Sequence, residues 1–157
     1  MHDGEGKVLL GLHRDGWTSF AGKGEGDETP RETAVRECAE ETLFVMGGRL
    51  DVDDAPAVTS LTPSGRAFYM FSARTPHDAS LEEEFERARE SGKYASVEGC
   101  DETRALRWFD EEELASVRVR PSFRADLDRI LSIVLPRRSG HASSPPPHPD
   151  GALVDPL

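Results

Sequence analysis

The chain has 157 residues, of which 36% are hydrophobic, and this length and composition are typical of a single folded domain with its own core. Its formal net charge of −11 repels phosphate backbones, which argues against non-specific nucleic-acid binding. No apolar stretch approaches membrane-spanning length, and the polar, acidic start MHDGEGK is unlike a secretory signal or a transit peptide.

Five strands are predicted from short apolar or β-branched runs. Asp15-Gly16 is a turn signal between the first two strands, and Pro63-Ser64-Gly65 makes a hairpin of the third and fourth. The predicted strands cover residues 7–12, 17–20, 56–62, 66–73 and 103–109.

Two helices are predicted from capping signals. The first begins at Thr29, where Glu32 completes a Thr-x-x-Glu capping box. The second begins at Ser80, with a similar box to Glu83, and ends at Gly92.

Two further helices follow. A short one begins at Asp110, boxed by Glu113, and the last covers residues 121–135, with Pro136 as the stop. The apolar face of the last helix consists of Phe123, Leu127, Ile130, Leu131 and Val134. Strands that alternate with helices indicate an α/β layered domain.

The C-terminal residues and the cysteines add two expectations. Residues 136–157 hold six of the eleven prolines and few large apolar residues, so we predict a disordered tail after a domain of residues 1–135. Cys38 and Cys100 lack the spacing of a disulfide framework or a zinc site, which favours a reducing, cytoplasmic compartment.

Three glutamates fall on one strip of the first predicted helix. Glu37, Glu40 and Glu41 are spaced i, i+3 and i+4, so they repel one another by about 0.2–0.5 kcal/mol per pair, and the C-terminal half of a helix disfavours anions. A solvated acidic face is one interpretation, but a bound divalent cation would offset both penalties through its preference for oxygen ligands. The opposite side is small and mostly apolar and is expected to pack on a sheet: Ala34, Val35, Cys38, Ala39 and Thr42.

A glycine-rich loop precedes this helix. Gly22, Gly24 and Gly26 permit backbone conformations and close ligand approach that other residues resist. Their spacing fits neither a P-loop nor the G-x-G-x-x-G dinucleotide motif. The five histidines show no catalytic or metal-binding spacing.

The loop and helix together carry a longer motif. Residues 22–44 match G-x5-E-x7-R-E-U-x-E-E-x-G-U, in which U is a bulky aliphatic residue: Gly22 and Glu28 take the first two fixed positions, and the run RECAEE begins at Arg36. This pattern is the Nudix box, and the sequence RWFDEEEL from Arg107 is similar to a late strand and short helix of the Nudix hydrolase family. The resemblance implies a Nudix-type α/β/α sandwich with a mixed sheet between helices.

Three departures from the family pattern matter for the structure and the site. Leu43 replaces the box glycine that usually ends the helix, so we expect one more helical turn, ending at residues 47–48. Ala21 replaces a glycine whose carbonyl binds metal in the family; its own carbonyl still serves unless the site requires a positive φ. Members usually have a strand before the one at Lys7, and six residues stand there, so the sequence either begins late or lacks that strand.

The resemblance also implies the chemistry. Nudix hydrolases use Mg2+ or Mn2+ to cleave a pyrophosphate bond in a small nucleoside diphosphate derivative. Carried over by motif position, Glu37, Glu40 and Glu41 are the catalytic and metal-binding carboxylates, with the Ala21 carbonyl as a further ligand, and Glu37 is the first choice for the group that orients or deprotonates water. The supporting residues, which position these ligands, are Gly22, Glu28 and Arg36.

Substrate contacts are less defined by the sequence. Lys23 and Arg66 are candidates for phosphate, and Glu98 and Glu102 are candidates for a base or extra ligand from a later loop, although solvated side chains explain all four equally well. The residues that mark ADP-ribose-type and dinucleoside-polyphosphate-type members are absent from the expected window, so the substrate stays open.

Three rival interpretations stay open. The first is a catalytically weak Nudix-like module that binds or senses nucleotides, although such modules tend to lose box glutamates that this sequence keeps. The second is an isomerase of the same fold, which needs a reactive cysteine, whereas Cys38 is predicted on the packing side of the helix. The third is a structural domain with an idle acidic helix.

Overall fold

The computed structural model describes residues 1–47, 49–50, 52–62 and 64–134. Every predicted strand and helix is present in the predicted order, and the end of the predicted domain and the predicted tail lie outside the described residues. The elements are β1 (Val8–His13), β2 (Gly16–Thr18), α1 (Pro30–Glu41), β3 (Ala57–Leu61), β4 (Ala67–Phe71), α2 (Leu81–Glu90), β5 (Leu106–Phe109), α3 (Glu111–Ser116) and α4 (Pro121–Val134).

The strands form two small antiparallel sheets. One has the order β2-β1-β5, and the other is the β3-β4 hairpin. In the first sheet Leu9 pairs with Trp108 and Leu12 with Trp17, and in the hairpin Thr59 pairs with Tyr69. Parallel pairing occurs in the isolated bridges between His2 and Arg74 and between Trp17 and Val119.

The N-terminal segment joins the two sheets. The His2 N–H donates to the Ala73 carbonyl at 3.0 Å, and the Thr75 N–H donates to the His2 carbonyl at 2.9 Å. On the other side, the Leu9 N–H donates to the Met1 carbonyl at 3.0 Å. In the segment before β1, where the family pattern predicts a further strand, His2 forms isolated bridges to Val8 and Arg74.

Two hydrophobic clusters cover opposite faces of β1, because successive strand residues point to opposite sides. The cluster with α3 and α4 contains Val8, Leu10, Val58, Met70, Phe109, Leu114, Val119, Phe123, Leu127 and Ile130. The cluster with α1 and α2 contains Leu9, Cys38, Leu43, Met46, Leu81, Phe85, Cys100, Leu106 and Trp108. Helices thus lie on both sides of the strands, and the α/β/α sandwich expected from the sequence is confirmed.

The capping boxes differ in outcome. Those at Thr29 and Asp110 are present with both reciprocal bonds. The box predicted at Ser80 is wrong, because its side chain makes no capping bond. Asp78, two residues earlier, instead accepts bonds from the Ser80 N–H at 2.9 Å and hydroxyl at 2.7 Å, so the hydroxyl serves as a donor in the preceding turn.

The end of α1 also differs from the prediction. The helix does not extend to residues 47–48 but ends at Glu41. Leu43 and Phe44 then adopt left-handed φ values of 52° and 60°. The chain therefore turns where the box glycine would turn it, at a steric cost of about 1–2 kcal/mol for each residue with a Cβ.

Two backbone hydrogen bonds hold this turn. The Phe44 N–H donates to the Ala39 carbonyl at 2.7 Å, and the Leu43 N–H donates to the Glu40 carbonyl at 3.0 Å. These are the two bonds of a Schellman motif, in which Leu43 takes the position usually filled by glycine. The Leu43 side chain is 4% exposed in the cluster with α1 and α2, so its burial offsets the strained conformation.

We expect Leu43→Gly to be more stable than Leu43→Ala by about 1 kcal/mol, although glycine is usually the less stable of the two in folded proteins. Both variants lose the buried side chain, at about 2–5 kcal/mol, but only glycine adopts a positive φ without strain. Urea unfolding of both variants measures the difference. Ala34→Gly, inside α1, is the control and should be destabilised by about 1 kcal/mol. If the alanine form were more stable than the glycine form at position 43, as it is expected to be at position 34, the left-handed turn would be contradicted.

Candidate metal centre

The glycine-rich loop packs closely against α1 at Gly22. Gly22 lies so close to Glu37 that a Cβ atom at Gly22 would overlap the Glu37 carboxylate. The glycine therefore lets the backbone of the loop approach a box glutamate more closely than any other residue would permit.

Arg36 ties the same loop to the helix. Its Nε donates to Glu28 Oε1 at 2.8 Å and its Nη2 to Glu28 Oε2 at 3.2 Å, a two-point pairing that fixes the orientation of both groups. Nη2 also donates to the Lys23 carbonyl at 2.7 Å. The bond from Arg36 lowers the pKa of Glu28 to about 2, with help from the Glu25 N–H, and the same pairing raises the pKa of Arg36.

A third nitrogen of Arg36 contacts the other carboxylates. Nη1 lies 2.9 Å from Glu37 Oε1 and 2.9 Å from Glu40 Oε2. Because the bonds to Glu28 use the other two nitrogens, the loop stays attached if Glu37 and Glu40 exchange Nη1 for another cation.

Glu41 is held from a different direction. Its side chain is 1% exposed, and Oε1 accepts a bond from the Ala21 N–H at 3.1 Å. Oε2 lies 3.0 Å from His13 Nε2 and 3.4 Å from the Thr103 hydroxyl oxygen, which donates to it. Sequence reasoning missed His13 and Thr103, because neither belongs to a local motif. The Ala21 φ lies outside the left-handed region, so the alanine is not strained.

The carboxylate strip is more buried than the sequence predicted. Glu37 and Glu41 are buried, whereas Val35, expected on the packing side, is 39% exposed. Burial raises the pKa of Glu37, the bonds to Arg36 oppose this, and the nearby negative charge of Glu41 adds to the rise. Cys38 does pack in the core, and burial raises its pKa to about 12, which keeps the thiol protonated and argues against the isomerase interpretation.

The oxygen donors on this helical strip match the chemistry that a hard divalent cation prefers. Three carboxylates share one helical strip, and Gly22 brings the backbone of the loop beside Glu37. As the side chains stand, Glu37 and Glu40 face Arg36, and the described residues contain no three His, Cys, Asp or Glu side chains already grouped to hold a metal. A bound cation would therefore replace Nη1 of Arg36 as the partner of these two carboxylates.

The other predicted contacts are exposed side chains on three separate loops. Gly99 packs against Glu40, where an added Cβ would lie 3.3 Å from Oε2, so the loop that carries the exposed Glu98 and Glu102 reaches the carboxylate strip. The Lys23 side chain is exposed in the glycine-rich loop, next to Gly22. Arg66 is exposed on the β3-β4 turn, where its N–H donates to the Thr62 hydroxyl at 3.0 Å.

A cleft of about 280 Å³ adjoins the centre. Residues that line it include Ser19, Ala21, Gly22, Ser60, Phe68 and Arg120. A larger cleft of about 1020 Å³ lies at the N-terminal segment, lined by residues such as His2, Arg74 and Val134, and it contains no residue of the box motif. Of these two clefts, the smaller one is therefore the one that adjoins the box motif.

Comparison with models of known protein families identifies the family of the chain's domain. The model of the NUDIX domain family matches residues 1–132, from the N-terminal segment into α4, and so includes every residue of the candidate centre. No curated protein sequence matches the chain. Within the described part of the chain, no helix has the length and apolar character needed to cross a membrane.

Proposed function

Because the chain belongs to the NUDIX domain family, a family of hydrolases of pyrophosphate bonds, we propose that it is a divalent-metal-dependent enzyme that cleaves a nucleoside diphosphate linked to another group. The observation that carries this proposal is the meeting of the loop at Ala21-Gly22 with Glu37 and Glu41, which share one helical strip with Glu40. The net charge of −11 is compatible with an anionic substrate only if cations offset it locally.

Four oxygen donors would hold Mg2+ or Mn2+: the carboxylates of Glu37, Glu40 and Glu41 and the carbonyl of Ala21. When bound, the ion supplies positive charge that polarises the phosphoryl group and lowers the pKa of water. Glu37 is our choice for the group that takes the proton from the attacking water, because its raised pKa brings the carboxylate nearer to the operating pH of a general base.

The surrounding residues would bind the rest of the substrate. We propose that Lys23 and Arg66 contact phosphate oxygens, and that Glu98 or Glu102 supplies an additional acid from the loop at Gly99. The cleft beside Ala21-Gly22 is of a size and polarity suited to part of a nucleotide. The unpaired Cys38 and Cys100 support a reducing compartment such as the cytoplasm.

The proposal is tested with a panel of nucleoside diphosphate derivatives. Cleavage of the pyrophosphate bond is measured with Mg2+, with Mn2+ and with a chelator. We expect cleavage that requires the metal. Binding of a nucleotide without turnover would instead support the alternative of a nucleotide-binding or sensor module, which is favoured by the engagement of Glu37 and Glu40 with Arg36. If no compound is bound and none is cleaved, both the enzyme and the nucleotide-binding module are contradicted.

Arg36→Lys is expected to lower kcat by about tenfold to a hundredfold, the usual effect of changing a residue that orients metal ligands. One ammonium group cannot replace the fork that pairs with Glu28 and also reaches the Lys23 carbonyl. Steady-state kinetics at saturating metal measure the change. Arg89→Lys, at an exposed pair with Glu86 on α2, is the control and should keep full activity. Equal activity of the two variants would show that the fork has no positioning role.

A further inference from the structure

Glu41 is held by two side chains from outside the box motif. His13 ends β1, and Thr103 lies just before β5; they stand 28 and 62 residues away from Glu41 in sequence. We propose that His13 and Thr103 are positioning residues that set the orientation of Glu41 as a metal ligand. This inference rests on the proposed function.

Both contacts converge on one carboxylate oxygen. A carboxylate that binds a cation is ionised and only accepts hydrogen bonds, so in that state His13 would donate from Nε2 to Glu41 Oε2, which lies 3.0 Å away. The Thr103 hydroxyl donates to the same oxygen at 3.4 Å, and it also lies 3.0 Å from Nε2. Among the residues that the structure describes, the Ala21 N–H is the single hydrogen-bond donor to Oε1, which leaves a lone pair for a cation.

The two donors are fixed by the sheet rather than by the loop. The Arg104 N–H donates to the Leu12 carbonyl at 2.8 Å, which continues the pairing of β1 with β5 as far as the neighbours of His13 and Thr103. Thr103 is 2% exposed, and a Cβ atom at Gly11 would lie 3.1 Å from its methyl carbon, so little space is left for its side chain to move. A rigid pair of donors restricts the rotation of the Glu41 carboxylate about its terminal bond.

A purely structural role is the competing explanation, because any carboxylate that is 1% exposed needs hydrogen-bond partners. The two roles differ in what they change. Positioning predicts a loss of metal affinity in protein that is still folded, whereas a structural role predicts a loss of stability with unchanged affinity in the folded fraction.

The test is a Mn2+ titration of the full chain without nucleotide, followed by the electron paramagnetic resonance signal of free Mn2+. His13→Leu and Thr103→Val remove the donor at similar size, and His13→Gln and Thr103→Ser keep one. We expect the first two to bind Mn2+ about tenfold to a hundredfold more weakly and the second two to stay close to the unsubstituted protein. Thermal unfolding without metal identifies any variant that is not folded. If a variant at one of the two positions does not fold, the two variants at the other position test the proposal.

Three outcomes separate the proposals. Weaker Mn2+ binding by the variants without a donor, and recovery by those with one, supports positioning. Unchanged binding by folded His13→Leu and Thr103→Val, beside normal binding and turnover by the unsubstituted protein, overturns this inference and leaves the proposed function standing. No binding and no turnover by the unsubstituted protein overturns both.

Discussion

Glu41→Gln is expected to lower turnover by at least about a hundredfold while the protein stays folded. A metal ion contributes several kcal/mol of transition-state stabilisation, and each 1.36 kcal/mol corresponds to a factor of ten in rate, so removal of a charged ligand affects kcat strongly. Glutamine has nearly the same volume as glutamate, so the buried site at Glu41 does not lose its packing.

The hydrogen bonds around Glu41 explain why the fold should survive. The glutamine oxygen still accepts the Ala21 N–H, and its amide group can donate to the Thr103 hydroxyl and to His13 Nε2 after the histidine changes tautomer. We expect a change of about 1 kcal/mol in the free energy of unfolding.

Two measurements decide this prediction: kcat with Mg2+ and the free energy of unfolding in urea without metal. Glu112→Gln, at an exposed glutamate of α3, is the matched control and should leave both unchanged. Turnover by Glu41→Gln close to that of the unsubstituted protein would show that the centre is misassigned, and a large loss of stability would show that the charge of Glu41 is needed for folding.

Local signals in the sequence predicted much of the framework of the site. The capping box of Thr29 with Glu32 fixes where α1 begins, and it involves residues three apart in the chain. Glu28 and Arg36 are eight apart, and the resemblance to the box motif was enough to predict both as supporting residues. Such contacts depend on one helix and the loop next to it, so a single sequence contains the necessary information.

Long-range contacts could not be predicted in this way. His13 and Thr103 meet Glu41 only because β1 and β5 are neighbours in the sheet, and no local pattern marks either residue. The burial of Glu37 likewise depends on the approach of the loop at Gly22.

The turn after α1 shows a different kind of failure. Propensity alone favoured a longer helix at Leu43, because a residue with a Cβ avoids positive φ. Packing decided otherwise, since ending the helix at this point places the Leu43 side chain in the core. A sequence pattern records the steric cost of a conformation but not the tertiary contacts that offset it.

Gly22→Ala is expected to lower kcat by about a hundredfold with little change in stability. The new methyl group would take the place of the Glu37 carboxylate, which lies at the end of a flexible side chain and would move away. A displacement of about 1 Å in a catalytic group is enough to cost a factor of about 10² in rate. Gly22 is exposed and its φ lies outside the left-handed region, so alanine adds no backbone strain.

Gly24→Ala is the control because it makes the same change two residues along the same exposed loop. Its Cβ would lie 3.2 Å from the Thr33 hydroxyl oxygen and would approach no box glutamate, so kcat with Mg2+ should stay close to that of the unsubstituted protein. Equal losses in the two variants would mean that the loop as a whole needs its glycines for mobility. A loss confined to Gly22→Ala would mean instead that the position of the Glu37 carboxylate limits the reaction.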